Sequence, residues 1–313
     1  MPATAQPAKS GFLDPAALMS IRNLELRART VVEGFWHGLH RSPYHGFSVE
    51  FSEYRPYSQG DDPRYLDWKL VGRTDRYFIK KFEDETNLRA YLLLDNSRSM
   101  SFAGKGGVTK ADYARTLAAT LAYFLAQQGD ATGLLTFDET VREYLPARHR
   151  PGHLRHLLLA LERPAAGTAT DLTAPLRRIA ELVRKRGLVV LISDLLAPIE
   201  ALAAPLALLT AARHEIIVLQ VLDPAELTFD FAEPARFLDV ETGRDLFIDP
   251  ALARKNYRAQ FDAHLAAIRA TCQQLGITHL QLSTAQPLEL ALFDFVKARS
   301  ARGKLIRRRV ATQ

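Results

Sequence analysis

The sequence predicts an α/β protein built around a doubly wound, mostly parallel sheet. From Asn87 onward, short apolar runs alternate with longer segments of helical period, and this alternation indicates strands joined by crossover helices. Two runs, Leu188–Ile192 and Ile216–Leu222, are continuously apolar, which is typical of strands buried on both faces. The chain has 313 residues, of which 47% are hydrophobic and 24% charged, the composition of an ordinary globular protein.

The other elements follow from apolar periodicity and turn residues. The predicted strands are Leu88–Leu94, Ala131–Phe137, Val141–Leu145 (an edge strand), Leu188–Ile192, Ile216–Leu222 and Ile277–Leu282. The predicted helices are Lys110–Gln128, His153–Glu162, Leu172–Arg186, Ala201–Arg213, Pro250–Leu275 and Pro287–Arg299. Residues 223–250 are acidic and rich in turn formers, so we interpret them as an excursion that contains a small hairpin.

The segment before this domain has a different character. Residues 1–11 are predicted to be disordered, and Asp14-Pro15 indicates the start of a helix whose apolar pattern reaches Gly34. Short strands are expected at Phe47–Phe51 and Tyr77–Phe82. The predicted organisation is therefore an N-terminal helix and small β-rich segment over 12–86, the α/β domain over 87–300 and a basic tail over 301–313.

The positive charge is concentrated at the C-terminal end. The net charge is +6. No acidic residue follows Asp294, whereas seven basic ones do, and subtracting them leaves −1 for the rest of the chain: Lys297, Arg299, Arg302, Lys304, Arg307, Arg308 and Arg309. We interpret the tail as a solvated end that offers contact with an acidic surface, and expect no specific nucleic-acid partner.

Cysteine content and hydropathy indicate a cytoplasmic protein without a membrane span. Cys272 is the single cysteine, so no intramolecular disulfide forms, and we expect it to pack inside a helix. The N-terminus lacks the apolar run of a secretory signal. The most apolar stretch, Leu195–Ala212, contains Glu200 and two prolines, so we predict a buried helix there.

Polar side chains follow the predicted central strands, at the sheet edge where α/β proteins bind ligands. Asp95, Ser97 and Ser99 form a D-x-S-x-S sequence after one strand, and Ser193-Asp194 follows another. A loop at 167–171 adds hydroxyls and a carboxylate. Hydroxyl and carboxylate oxygens suit Mg²⁺, with Mn²⁺ and Ca²⁺ as alternatives. Because Asp95 and Asp194 are the two anionic candidates, a carboxylate from a protein partner could complete the coordination shell.

D-x-S-x-S after the first strand, a threonine in a second loop and an aspartate in a third resemble the metal-ion-dependent adhesion site of von Willebrand factor A domains. The resemblance implies a von Willebrand factor A-like, Rossmann-like fold and one ligand set: Asp95, Ser97, Ser99, Thr170 and Asp194. Thr168 is the alternative threonine, since it fits a G-T-x-T spacing, whereas Thr170 fits a T-D-L pattern and is preferred. The third loop reads Ser193-Asp194-Leu195 and not T-D-G, so its turn is expected to differ.

The N-terminal part narrows the resemblance. FSEYRPYSQGDDPRYLDW at 51–68, RTDRY at 73–77 and KFEDE at 81–85 resemble the bacterial "domain of unknown function 58" family, over about residues 12–300. The residues of the 51–68 segment that stand out are Arg55, Tyr57, Gly60, Asp61, Asp62, Arg64, Asp67 and Trp68. We interpret its charged side chains as a charge-paired turn. The resemblance implies a non-enzymatic adaptor without a membrane anchor, working with a MoxR-type AAA+ ATPase on client proteins.

Two other functions have some support in the sequence. A magnesium phosphohydrolase would use Asp95 as nucleophile, but it would need a second carboxylate at the position of Ser97. A nucleic-acid-binding protein would use the basic stretch that contains His149, His153 and His156, which lacks interleaved aromatic residues. We interpret that stretch as the solvated start of a helix.

Overall fold

The computed structural model describes most of the chain outside the N-terminal β-rich segment. The described ranges are residues 12–41, 54–56, 78–80, 88–105, 107–163, 172–231, 233–238 and 245–310. The chain divides into two compact units, one formed by residues up to 38 together with those from 88 onward, and the other by residues 39–87. The predicted disorder at 1–11 falls outside the described residues.

In the unit of residues 39–87, strands β1 (Tyr54–Pro56) and β2 (Phe78–Lys80) form an antiparallel pair in which Arg55 lies opposite Ile79. Strand β2 falls within the predicted strand Tyr77–Phe82, whereas the predicted strand Phe47–Phe51 lies outside the described residues. The rest of the charged signature segment also lies outside them, so its charge-paired turn stays a prediction: Tyr57, Gly60, Asp61, Asp62, Arg64, Asp67 and Trp68.

The N-terminal segment forms two helices where the sequence predicted one. Helix α1 spans Pro15–Met19 and helix α2 spans Leu24–Arg41. Each start has its own cap, because Asp14 accepts a hydrogen bond from the Ala17 N–H (3.1 Å) and Asn23 accepts one from the Leu26 N–H (2.8 Å). The Asn23 cap starts a new helix, which local apolar spacing could not reveal.

The main unit is built on a mixed sheet whose strands are β3 (Arg89–Asp95), β4 (Ala131–Phe137), β5 (Val141–Arg148), β6 (Leu188–Ser193), β7 (Glu215–Leu222) and β10 (Thr278–Ser283). Their order is β10-β7-β6-β3-β4-β5, and β5 alone among them runs antiparallel to its neighbour. This arrangement confirms the predicted doubly wound, mostly parallel sheet and its edge strand. Strands β8 (Ala235–Leu238) and β9 (Asp245–Ile248) form the hairpin expected in the excursion.

The remaining helices are α3 (Lys110–Gln127), α4 (His153–Leu161), α5 (Thr173–Leu182), α6 (Ile199–Ala211), α7 (Pro224–Thr228), α8 (Pro250–Gln274) and α9 (Leu288–Val310). Helix α5 ends four residues before the predicted Arg186, and the chain then passes so close to β3 that a Cβ on Gly187 would lie 2.2 Å from the Arg89 carbonyl oxygen. Helix α9 continues through most of the predicted basic tail.

Apolar side chains bury both faces of the sheet. On one face Leu93 of β3 and Leu191 of β6 belong to a cluster that includes residues of α5, α6 and α8. Cys272 of α8 is 1% exposed in that cluster, which confirms the predicted packing role, and burial raises the pKa of its thiol to about 11. Helix α6, from the most apolar stretch, buries Leu202 and Leu206 there. Within the described ranges, no helix combines the length and apolarity needed to cross a membrane.

Candidate cation site at the carboxyl edge of the sheet

The crossovers of the sheet diverge at neighbouring strands β3 and β6. The chain leaves β3 to form β4 on one side, and leaves β6 to form β7 on the other. The two strands are parallel, with Leu94 opposite Ile192, so their carboxyl ends lie at the same edge. Asp95 ends β3 and Ser193 ends β6 at this point, where open α/β sheets bind ligands.

Asp95 is a fully buried carboxylate held by neutral donors. Its Oδ1 accepts the Ser97 N–H at 2.8 Å, and its Oδ2 accepts the Ser193 hydroxyl at 2.6 Å. Burial, and then the nearby Asp194 carboxylate, raise the pKa of Asp95 to about 7, while the hydrogen bonds from Ser193 and Ser97 offset part of the rise. Asp95 therefore lies where added positive charge would be favourable.

Two serine hydroxyls converge beside Asp95. Ser97 precedes a short 3₁₀ helix, Arg98–Ser101, and Ser99 lies within it. Their Oγ atoms are 3.1 Å apart. Ser97 is 2% exposed and Ser99 is half-buried, so Ser99 is the more accessible of the two serines.

Asp194 is also fully buried, but an ammonium group compensates its charge. The Nζ atom of Lys110 lies 2.8 Å from Asp194 Oδ2 and 2.5 Å from Glu226 Oε1. The Lys110 side chain is 0% exposed. Burial alone would lower the pKa of Lys110, but the Asp194 and Glu226 carboxylates raise it above its usual value. Lys110 is the first residue of α3, and nothing local in the sequence marks it as part of this site.

The acidic start of the excursion positions Glu226. Asp223 and Glu226 form a capping box on α7, in which Glu226 Oε2 accepts the Asp223 N–H at 2.8 Å. Asp223 Oδ2 also accepts the Gly104 N–H (3.0 Å) and the Thr284 hydroxyl (3.2 Å). A Cβ on Gly104 would lie 2.4 Å from Asp223 Oδ1, so glycine is required there. Asp223 thus joins the loop before α3 to the ends of β7 and β10.

The third loop turns through a residue with positive φ. Leu195 follows Asp194 with φ 55°, a left-handed conformation that a leucine rarely adopts. Its side chain is fully buried in the core, and its N–H donates to Ser193 Oγ at 3.0 Å. Burial of Leu195 thus holds a conformation that glycine would otherwise favour. The Asp194 carbonyl is fixed in turn by the Gln220 side-chain amide at 2.9 Å.

Four predicted ligands lie together at this edge: Asp95, Ser97, Ser99 and Asp194. Thr170 and its alternative Thr168 lie outside the described residues, as does Asp171. Lys110 and Glu226 were not predicted from the sequence, and neither was the hydrogen bond from Ser193 to Asp95. The Asp-Pro-Ala-Glu sequence at 223–226 is a recognisable cap, so it could have indicated an ordered turn directly after β7.

The basic stretch lies at the opposite edge. His153 is 6% exposed, and its Nε2 lies 2.8 Å from the carbonyl oxygen of Thr132, near the amino end of β4. Burial lowers the pKa of His153. The prediction of a solvated helix start is therefore wrong for His153, although Arg148 and Arg150 are exposed. None of these three residues is part of the candidate cation site.

The oxygen donors at the carboxyl edge are compatible with a small hard cation. Neighbouring ligands of an octahedral Mg²⁺ ion lie about 3 Å apart, given Mg–O distances of about 2.0–2.1 Å. The 3.1 Å between the Ser97 and Ser99 hydroxyls matches that spacing. Over the described ranges, no group of three or more His, Cys, Asp or Glu side chains is placed to hold a metal. A cation here would therefore depend on the serine hydroxyls and on Asp95 and Asp194.

The chain belongs to the family described as protein of unknown function DUF58, whose model matches residues 53–271. Uncharacterized proteins of Mycobacterium tuberculosis and Mycobacterium bovis are each 32% identical to it over 292 residues, which cover 91% of this chain and 90% of the relative. The predicted family is thereby confirmed.

Solved structures with a similar fold include BatB from Bacteroides thetaiotaomicron, a conserved hypothetical protein. It is 13% identical, with a TM-score of 0.44, over 68% of this chain and 99% of that one. The SpRpn10 VWA domain is 12% identical, with a TM-score of 0.37, over 64% and 92% of the two chains. These are likenesses of fold, and neither says what this chain does.

Proposed function

We propose that this protein is a non-enzymatic adaptor that binds a protein partner through a divalent cation, most readily Mg²⁺, held by Asp95, Ser97, Ser99 and Asp194. The observation that carries the proposal is the pair of serine hydroxyls, 3.1 Å apart, beside two buried carboxylates at the divergence of β3 and β6. Thr170 is the fifth proposed ligand, as its loop would follow α4.

The donor set favours binding over catalysis. Two carboxylates and neutral hydroxyls leave a divalent ion electrophilic, so a carboxylate of the partner would complete its shell. A phosphohydrolase would need a general acid or base two positions after Asp95, and Ser97 supplies a hydroxyl there. We propose a MoxR-type AAA+ ATPase as the partner, together with a client protein.

The test is capture of a purified MoxR-type ATPase by the immobilised chain in Mg²⁺ and in EDTA. Wild type should capture the ATPase in Mg²⁺, with about tenfold less capture in EDTA or in the Ser97→Ala/Ser99→Ala variant, because a partner carboxylate then lacks its cation. Ser101→Ala is the matched control, since Ser101 is exposed and its hydroxyl donates to the Arg98 carbonyl at 2.6 Å.

Equal capture in all conditions would contradict the metal-dependent adaptor. Hydrolysis of a generic phosphomonoester in Mg²⁺ that is lost in Asp95→Ala would instead favour the phosphohydrolase.

A further inference from the structure

The ammonium group of Lys110 occupies one side of the proposed cation site. It contacts Asp194 Oδ2 at 2.8 Å and Glu226 Oε1 at 2.5 Å, in an environment where the Lys110 side chain has no solvent exposure. We propose that Lys110 is a tethered internal cation that competes with the divalent ion for Asp194, and that Glu226 sets the balance because it can hold the ammonium when the ion binds Asp194. The inference rests on the proposed cation site and adds a control of its ion affinity.

The competition follows from the positions of the charges. Asp194 Oδ1 accepts the Leu196 N–H at 3.2 Å and Oδ2 accepts Lys110, so an ion that binds Asp194 must share a carboxylate already balanced by a positive charge. A divalent ion and an ammonium around one buried carboxylate also repel each other, and low local polarity strengthens the repulsion. Because Asp95 and Asp194 are the two proposed anionic ligands, compensation of one of them weakens ion binding substantially.

Lys110 has an alternative partner inside the protein. The Lys110 side chain does not reach solvent, so the ammonium cannot leave Asp194 by becoming hydrated. The ammonium already contacts Glu226 as well, and Glu226 can serve as its partner. Glu226 is held in place by the capping box with Asp223, and the Tyr257 hydroxyl donates to its carbonyl oxygen at 3.0 Å. A fixed Glu226 can therefore compensate Lys110 when an ion takes up the charge of Asp194.

The arrangement separates two kinds of carboxylate around the ammonium. Asp194 lies directly after β6 and belongs to the proposed ligand set, whereas Glu226 lies on α7, outside that set, and accepts a hydrogen bond from Lys110. Removal of Lys110 should therefore tighten ion binding, and neutralisation of Glu226 should weaken it more while Lys110 is present than after Lys110 is removed. A purely structural role of Lys110 would produce neither effect.

The experiment measures Mn²⁺ affinity of the full chain without any partner, by calorimetry and by the loss of the free-ion paramagnetic resonance signal. Lys110→Met should bind Mn²⁺ about tenfold or more tightly than wild type, since one opposing charge is removed from the site. Lys105→Met is the matched control, because Lys105 is exposed in the loop before α3 and should change the affinity by less than about twofold.

A double-mutant cycle tests the role of Glu226. Glu226→Gln should weaken Mn²⁺ binding about fivefold in the wild-type background, because the ammonium then has Asp194 as its one remaining carboxylate partner. The same change in the Lys110→Met background should have a clearly smaller effect, because Glu226 then no longer competes with Asp194 for the ammonium. If Lys110→Met alone is poorly folded, the Glu226→Gln comparison in wild type and the rise in Tm of each variant with Mn²⁺ still provide the readout.

Three results would overturn the inference: Lys110→Met binds Mn²⁺ no better than wild type, Glu226→Gln acts equally in both backgrounds, or no variant binds Mn²⁺. The adaptor proposal fails separately. Tighter Mn²⁺ binding by Lys110→Met together with metal-independent capture of the ATPase would contradict the adaptor proposal and support the inference about Lys110. Metal-dependent capture together with a Mn²⁺ affinity that Lys110→Met leaves unchanged would support the adaptor proposal and contradict the inference.

Discussion

Asp95 and Asp194 lie at the ends of neighbouring strands and are both fully buried, yet different chemistry surrounds them. Asp95 accepts hydrogen bonds from a backbone N–H and from the Ser193 hydroxyl, all neutral donors. Asp194 accepts a hydrogen bond from the Lys110 ammonium, which it shares with Glu226 and which offsets part of its charge. The loop after β3 thus contains an uncompensated acid, whereas the loop after β6 contains an ion pair.

The difference shows how one sheet edge can accommodate two buried carboxylates. Neutral donors satisfy hydrogen-bonding capacity but leave the charge in place, and the pKa of Asp95 rises to about 7. The Lys110 ammonium offsets part of the negative charge of Asp194, but it remains in the site as a competitor for any other cation. The β3 loop therefore gains most from an added cation, and the β6 loop limits how strongly that cation binds.

The largest loss of stability is expected when the ion pair of the β6 loop is broken. Lys110→Met in EDTA should lower the free energy of unfolding by about 3–5 kcal/mol, because it leaves the buried Asp194 and Glu226 without a counter-ion. Urea denaturation followed by circular dichroism measures the change.

Arg178→Met is the control for this prediction, since Arg178 pairs with Glu181 at 2.6 Å on the surface, with both side chains more than half exposed. An exposed pair of this kind contributes about 0–1 kcal/mol. Equal losses of unfolding free energy in the two variants would show that the buried ion pair stabilises the protein no more than the exposed pair does.

A smaller effect is expected from removal of Ser193, the neutral donor at the end of β6 that holds Asp95. Ser193→Ala removes the hydroxyl that donates to Asp95 Oδ2 and accepts from the Leu195 N–H, so about 1–3 kcal/mol of stability should be lost. The same urea titration measures it, with Ser101→Ala expected to stay within about 0.5 kcal/mol as an exposed control. A loss as small as the control's would mean that Asp95 does not depend on Ser193.

The smallest change in stability is expected when the Asp95 carboxylate itself is neutralised. Asp95→Asn keeps an oxygen for the Ser97 N–H and presents an amide to Ser193 Oγ, so stability in EDTA should change by less than about 1 kcal/mol. Asp194→Asn should lose about 3 kcal/mol, because Lys110 then lacks one of its buried partners. Parallel urea titrations of the two variants measure the contrast directly. Similar losses would show that the two carboxylates are equivalent.

Much of the sheet could be predicted because each strand carries its own signal. The apolar runs at Leu188–Ile192 and Ile216–Leu222 became β6 and β7 with shifts of one residue at an end. A strand buried on both faces must be apolar at every position, and this requirement is visible locally. The helix break before Asn23 was missed because it depends on one cap and not on a periodic pattern.

The candidate site was predictable only in part, for a related reason. The D-x-S-x-S spacing marks Asp95, Ser97 and Ser99 directly, because the three residues lie in one short loop. Ser193 was visible beside Asp194, but its hydrogen bond to Asp95 spans 98 positions of the chain. No window of sequence contains both partners.

The sequence by itself determined the α/β class, the parallel central strands and the family, since these depend on local patterns and on a contiguous signature. The tertiary structure alone decided that Lys110 balances Asp194 and Glu226, from which it is separated by 84 and 116 positions of the chain. A lysine at the first position of a helix is ordinarily solvated, and only the packing of α3 beneath the ends of β6 and β7 makes it a buried counter-ion. Its charge therefore acts on the proposed cation site through space, where the order of residues along the chain gives no indication of it.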